Sequence, residues 1–201
     1  MQAVSVLLHP LLMPTLLFFI LFYHAPLVIQ AIPRSKTLLF LLVILITTFI
    51  IPVLSIVTLR LTKSISSFQM RDRKERIVPF FFIFIFYALT TYLFISKFDL
   101  GNVFFIIFSG ITTTIFIITI TAFFWKISVH SAGLTGVIGS IFAINYKFPD
   151  NQLFIPVIFL ILMAGLVMSA RLYLNSHTPN EIFVGGIVGF MINYWAILIF
   201  A

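Results

Sequence analysis

The chain has 201 residues, 62% of them hydrophobic and 8% charged, and a formal net charge of +7. A soluble domain carries roughly 25% charged residues, so a water-soluble globule is excluded, and continuous apolar runs without alternation exclude a β-barrel. The absence of cysteine removes disulfides, thiolate nucleophiles and thiolate metal sites. The cations are few and sit in short loops, where anionic lipid headgroups or a phosphorylated substrate are better partners than nucleic acid. One domain over residues 1–201 is expected: an all-α, polytopic transmembrane helical bundle.

The first span is expected from Val4 to Tyr23, entered through His9, Pro10 and Pro14. Two prolines so close together predict an irregular, even re-entrant, entry. His9 reads first as a capping or interfacial residue, and second as a residue that reaches the site. No basic segment or small-residue cleavage site precedes the apolar run, so it reads as a span and not as a signal peptide. Pro26, Pro33, Arg34 and Lys36 mark a loop. Thr37 to Leu59 is the second span, with a kink expected at Pro52. The one charge-dense segment follows: Arg60, Lys63 and then RDRKER from Arg71 to Arg76.

Ile77 to Ile95 is the third span, with Pro79 just inside it, where a helix tolerates proline. A tight turn over 96–102 leads to the fourth span, Val103 to Trp125. Its Thr112, Thr113 and Thr114 are expected to bond back to their own helix. KISVHSAG (126–133) is the next polar interruption. Ser131 to Tyr146 is a short fifth span, Leu153 to Ala170 the sixth and Ile182 to Phe200 the seventh. The irregular first crossing makes the count six to seven.

Between the last two spans stands ARLYLNSHTPNE (170–181), an arginine, a histidine and a carboxylate set into an apolar background. Ionisable groups at a bilayer edge are costly, which makes Arg171, His177 and Glu181 a functional hypothesis by default. The basic segment, KISVH and ARLYLNSH are separated by even numbers of spans, so all three emerge on one face. Small residues recur at four-residue spacing in the last three spans: Ala132, Gly136 and Ser140, then Gly165 and Ser169, then Gly185 and Gly189. Such stripes let helices approach closely, and they predict a tight bundle whose ends carry both histidines.

These segments resemble the type 2 phosphatidic acid phosphatase superfamily, whose three motifs have the forms KxxxxxxRP, PSGH and SRxxxxxHxxxD. Ala170-Arg171, five residues, His177, three residues and Glu181 reproduce the third spacing, and Ser128-Val129-His130 resembles the second. Arg71 to Pro79 loosely resembles the first. Aligning Pro79 puts Arg71 at the lysine and Val78 at the arginine; aligning Arg76 puts Gln69 at the lysine. Arg73 and Arg76, three apart and so on one helix face, are the favoured phosphate ligands there, with Arg71 and Lys74 as substitutes. Three further departures are Glu181 for aspartate, Ala170 for serine, and Ile127 and Val129 for the proline and glycine before His130.

The resemblance implies metal-independent phosphoryl transfer with no cofactor. Arg171, with Arg76 and Arg73, would hold the phosphoryl oxygens, because guanidinium binds phosphate bidentately and never deprotonates. His177 would attack phosphorus, Glu181 would orient it, and His130 would protonate the leaving oxygen and then activate water. Ser128 would contact substrate. Glu181 has a second local reading, since Thr178-Pro179-Asn180-Glu181 spells an N-cap, a proline at the first helical position and a capping-box glutamate.

The implied activity is hydrolysis of a lipid phosphate or isoprenoid pyrophosphate by an integral membrane protein, of the inner membrane in a bacterium. A phosphotransferase or a non-catalytic lipid-phosphate binder or transporter is the alternative. Orientation stays open. The motif-bearing face holds eight Lys and Arg against four on the other, but five of the eight are candidate site residues.

Overall fold

The computed structural model describes every residue except Ala31, Gln69, Arg71, 98–100 and 150–151. The first rod is broken where its prolines fall. Helix α1 (Gln2–Leu7) ends before His9, whose backbone is extended because the Pro10 ring disfavours the helical region for the residue ahead of it. A 3-10 turn, Pro10–Leu12, then leads into α2 (Met13–His24), and His9 Nδ1 caps that turn by accepting from the Leu11 amide at 3.3 Å.

The second rod consists of α3 (Thr37–Leu45), a π-turn over Ile46–Ile50 and α4 (Ile51–Leu61). Pro52 has no N–H to offer the Thr48 carbonyl one turn back, and the helix widens just ahead of it. The missing donor comes from another helix: the Tyr87 hydroxyl, on α5 (Ile77–Lys97), donates to Thr48 O at 3.0 Å. Tyr87 is 1% exposed, so this bond is sealed from solvent.

Gly101, at φ +78°, precedes α6 (Asn102–Thr121), which stops one turn short of the expected Trp125 because the chain turns at 122–124. Thr114 bonds back to Gly110 O as expected, whereas Thr112 pairs with Thr91 of α5, each contact at 2.9 Å. Three rods complete the chain: α7 (Val129–Lys147), α8 (Phe154–Tyr173) and α9 (Pro179–Phe200). There is no strand among the described residues.

Six segments are long and apolar enough to cross a membrane: Gln2–His24, Arg34–Leu61, Lys74–Lys97, Asn102–Thr121, Phe154–Tyr173 and Pro179–Phe200. The seventh rod, α7, is the one built on small residues, and most of its length is buried. Large apolar side chains such as Phe81, Tyr92, Leu162 and Trp195 are exposed on the outside, as a lipid-facing surface requires. The molecule is thus an all-α, membrane-spanning bundle.

Successive rods run antiparallel, so α7 and α9 run parallel, and they are packed as the small residues predict. A Cβ on Gly185 would lie 2.6 Å from Ser128 O, and one on Gly189 would collide with the Ala132 carbonyl. One turn deeper, Asn193 fills the place opposite Gly136 and donates to Thr114 Oγ1 and Gly189 O, each at 2.9 Å. That side chain ties α6 to α9. Gly165 takes no part, since a Cβ there would meet nothing within 4 Å; α8 does not use its small residues as α7 and α9 do.

The two ends of the bundle differ. One gathers α1, the turn Lys74–Arg76 and the α6–α7 and α8–α9 loops. At the other, the Gln152 amide donates to His24 O at 3.2 Å. The interior toward this second end is filled by phenylalanines: Phe18, Phe94, Phe104 and Phe108 pack, some stacked and some edge-on or tilted, with centroids 4.4 to 5.5 Å apart. The first end is hollow.

Candidate active site

The hollow is a single cavity of about 920 Å³, and its polar wall is made by His9, Arg76, Lys126, His130, Arg171 and His177. These residues come from four separate stretches of chain. The topology brings them together because each stretch lies at the same end of an antiparallel bundle.

His177 sits in the turn between α8 and α9. Asn175 takes φ +49°, a left-handed conformation that asparagine tolerates, and so reverses the chain after α8. Thr178 then caps α9 by accepting from the Glu181 amide at 3.4 Å, with Pro179 at the first helical position. Glu181 Oε2 completes the capping box at the Thr178 amide, 3.1 Å, and also lies 2.9 Å from His177 Nδ1. One carboxylate therefore fills both roles that its sequence position allows. The bond to Glu181 puts the ring proton on Nδ1 and the lone pair on Nε2.

His177 is 8% exposed. Burial holds its pKa below the ordinary histidine value, and the neighbouring charges of Arg76, Arg171 and Lys126 push the same way. The result is a neutral imidazole with a free Nε2, the form that can attack an electrophile.

His130 is the second residue of α7. Its Nε2 lies 3.0 Å from the Ser5 carbonyl and 3.3 Å from Ser5 Oγ. A carbonyl only accepts, so Nε2 carries the proton and Nδ1 the lone pair. The His9 ring meets His130 edge-on at 5.8 Å. His9 is therefore at once a cap for its own turn and part of the cavity wall.

Arg171, in the last turn of α8, donates from Nη1 to Ser5 Oγ at 2.9 Å, and its buried Nε has no acceptor among the described residues. Arg76, at the head of α5, is buried and donates from Nε to Met70 O at 2.9 Å. Ser5 thus takes contacts from both a histidine and an arginine, as a phosphoryl oxygen would. Nothing in the sequence singles it out: it is one serine in an apolar run, 125 residues from His130 and 166 from Arg171. Lys126 also faces the cavity, although only its neighbours Ser128 and His130 stood out by motif.

Other expected residues fall elsewhere. Arg73 and Lys74 are not among the cavity walls: Arg73, the N-cap of the turn Lys74–Arg76, is half-exposed and Lys74 is exposed, while Arg76 alone of the three is buried. Arg71 lies outside the described residues. Ser128 is fully buried as the N-cap of α7, accepting from the Ser131 hydroxyl at 3.0 Å, and does not line the cavity. Its hydroxyl is spent on the helix terminus, which otherwise leaves buried amides unpaired. The Ser128 amide does bind this loop to the other one, donating to Glu181 O at 3.0 Å. Ile127 and Val129 pack into an apolar cluster with Ile118 and Ala132.

Among the described residues, no three histidines or carboxylates group as metal ligands. The cluster is cationic and suits an anion: guanidinium forks for its oxygens, one imidazole with a free nitrogen, and another with a proton to give. No family model matches this chain, and neither does any curated protein or solved structure.

Proposed function

We propose that this protein is an integral-membrane phosphatase that hydrolyses a lipid phosphate or isoprenoid pyrophosphate through a phosphohistidine intermediate, as its likeness to the type 2 phosphatidic acid phosphatases implies. The observation that carries the reading is the Glu181–His177 pair, facing the same cavity as Arg171, Arg76 and His130. Phosphoryl transfer asks for positioning and charge neutralisation more than covalent chemistry, and these side chains supply both.

The substrate phosphate takes the place of Ser5 against Arg171 and His130, with Arg76 and Lys126 adding positive charge. His130, facing a dianion, takes up a second proton. His177 Nε2 attacks phosphorus, the bond from phosphorus to the ester oxygen breaks, and His130 gives the departing oxygen its proton. Glu181 steadies the positive charge that develops on His177. In the second half, neutral His130 takes a proton from water, the resulting hydroxide attacks phosphorus, and the P–N bond breaks. Inorganic phosphate leaves, His130 returns to solvent the second proton it had taken from it, and both imidazoles are then in their starting state.

The test is phosphate release from a lipid phosphate by purified protein in the presence of EDTA. Turnover should fall to background in His177→Ala and by about a hundredfold or more in Arg171→Ala, each still folded by circular dichroism. Unchanged turnover in both variants overturns the proposal.

A further inference from the structure

The polar mouth is only part of the cavity. Below it the wall becomes mainly apolar, with Leu17 on α2, Ile83 on α5, Ile111 and Ile115 on α6 and Val137 on α7, down to Tyr87, and with Thr114 and Asn193 as polar members. The hollow then stops. Phe18 follows Leu17, and Phe108 lies just under one turn below Ile111; both are fully buried in the stacked aromatic cluster and neither lines the cavity. The Tyr87–Thr48 bond and the Asn193–Thr114 bond brace the walls near the same depth.

Helix geometry gives the depth. Arg76 to Tyr87 is eleven residues along α5 and its leading turn, or roughly 16 Å; His130 to Val137 is seven along α7, or roughly 10 Å. The floor therefore lies near the middle of a hydrocarbon core about 30 Å thick. A zigzag chain of carbon–carbon bonds advances about 1.3 Å per bond, so the space below the cations admits a main chain of about eight to twelve carbons.

We infer that the cavity binds one apolar chain of limited length, an alkyl or prenyl phosphate or diphosphate inserted tail-down, and that the phenylalanine plug headed by Phe18 and Phe108 sets the length limit. The inference rests on the phosphate-binding reading of the mouth and adds the class of substrate: single-chained and medium in length, not a diacyl lipid with long chains. Charge complementarity fixes the polarity of insertion. The anionic head meets Arg76, Lys126 and Arg171, and the tail meets a mainly aliphatic wall in which Thr114 and Asn193, bonded to each other, are the polar side chains nearest the floor. Ile111 is the last aliphatic residue above Phe108, which makes the two positions the natural means of shortening or lengthening the pocket.

Non-hydrolysable n-alkyl phosphonates of about six to about eighteen carbons, titrated into the purified protein in detergent, test this. Concentrations are expressed as mole fraction in the micelle, which cancels each chain's own partition. Affinity should peak at about eight to twelve carbons and fall by about tenfold or more at the longest chains. Ile111→Phe should move the peak down by about two carbons or more and Phe108→Ala should move it up. Should Phe108→Ala not fold, Ile111→Ala lengthens the pocket from the same side.

A flat series, or a peak that neither variant moves, overturns the inference, as does equal binding of a diacyl phosphatidic acid with long chains. Binding is read without turnover, so the two proposals fail separately. A protein that hydrolyses nothing yet keeps the movable peak loses the phosphatase reading alone. One that hydrolyses every chain length equally, with no peak in binding, loses this inference alone.

Discussion

His177 and Glu181 stand four apart across a helix start, and their 2.9 Å contact is a consequence of that spacing as much as of the surrounding fold. The capping box draws the carboxylate back over the first turn, where the residue before the N-cap lies. Because one oxygen serves both the cap and the imidazole, two substitutions separate the roles. Thr178→Ala removes half of the box and should cost about 1 kcal/mol of stability with little change in turnover. Glu181→Gln keeps the shape but no longer requires the proton on Nδ1, and should lower turnover by about a hundredfold or more at small cost in stability. Thermal melts read against phosphate release decide it; parallel losses in both variants would reduce Glu181 to a cap. Ser5 makes a third case. Its hydroxyl competes for Arg171 and His130, so Ser5→Ala should tighten inhibition by orthovanadate roughly two- to tenfold, the worth of one hydrogen bond. Weaker inhibition would make Ser5 a substrate contact instead of a stand-in for one.

Among the elements, the second rod and α5 are joined by apolar packing and a buried bond. Pro52 strips the Thr48 carbonyl of its helical donor, and the Tyr87 hydroxyl replaces it across the interface. Tyr87→Phe keeps the ring and leaves that carbonyl unpaired in a dry interior. We expect a loss of about 1–3 kcal/mol in unfolding stability, measured in detergent, and a rescue when Pro52→Ala restores the helical donor. Absence of rescue would place the effect in packing. The α7–α9 pair has its own cross-helix bond, from Thr135 Oγ1 to Gly186 O at 2.8 Å. Its closeness comes from glycine facing backbone, which was readable in the four-residue stripes, although Gly165 shows that a stripe without a facing helix does nothing.

For the whole molecule, the arrangement of ends is the decisive property. A chain without cysteine allows each introduced thiol to be labelled alone. Lys74→Cys and Asn175→Cys should react with an impermeant maleimide from one side of sealed vesicles, and Lys147→Cys from the other. Mixed sidedness within the first pair would break the common face on which the site depends. The same experiment, done in vesicles of known orientation, settles which compartment the cavity opens to, a matter on which three cations against four leave the loops balanced.

The apolar runs, the punctuation by proline and glycine, the cap at Thr178 and the pairing of His177 with Glu181 were legible in the chain alone, because each depends on residues within a turn or two of one another. The common face followed from counting spans. Whether Arg73 or Arg76 turned inward was not legible, since both belong to one turn and only its packing against the bundle decides which is buried. Nor was the entry of Ser5 into the site, which joins groups 125 and 166 residues apart through the folding of a broken first rod. The division of the interior into a hollow end and a phenylalanine-filled end is of the same kind. Every span here is rich in aromatic and aliphatic side chains, and only the packing of seven rods against one another determines which of them meet and which leave room for a ligand.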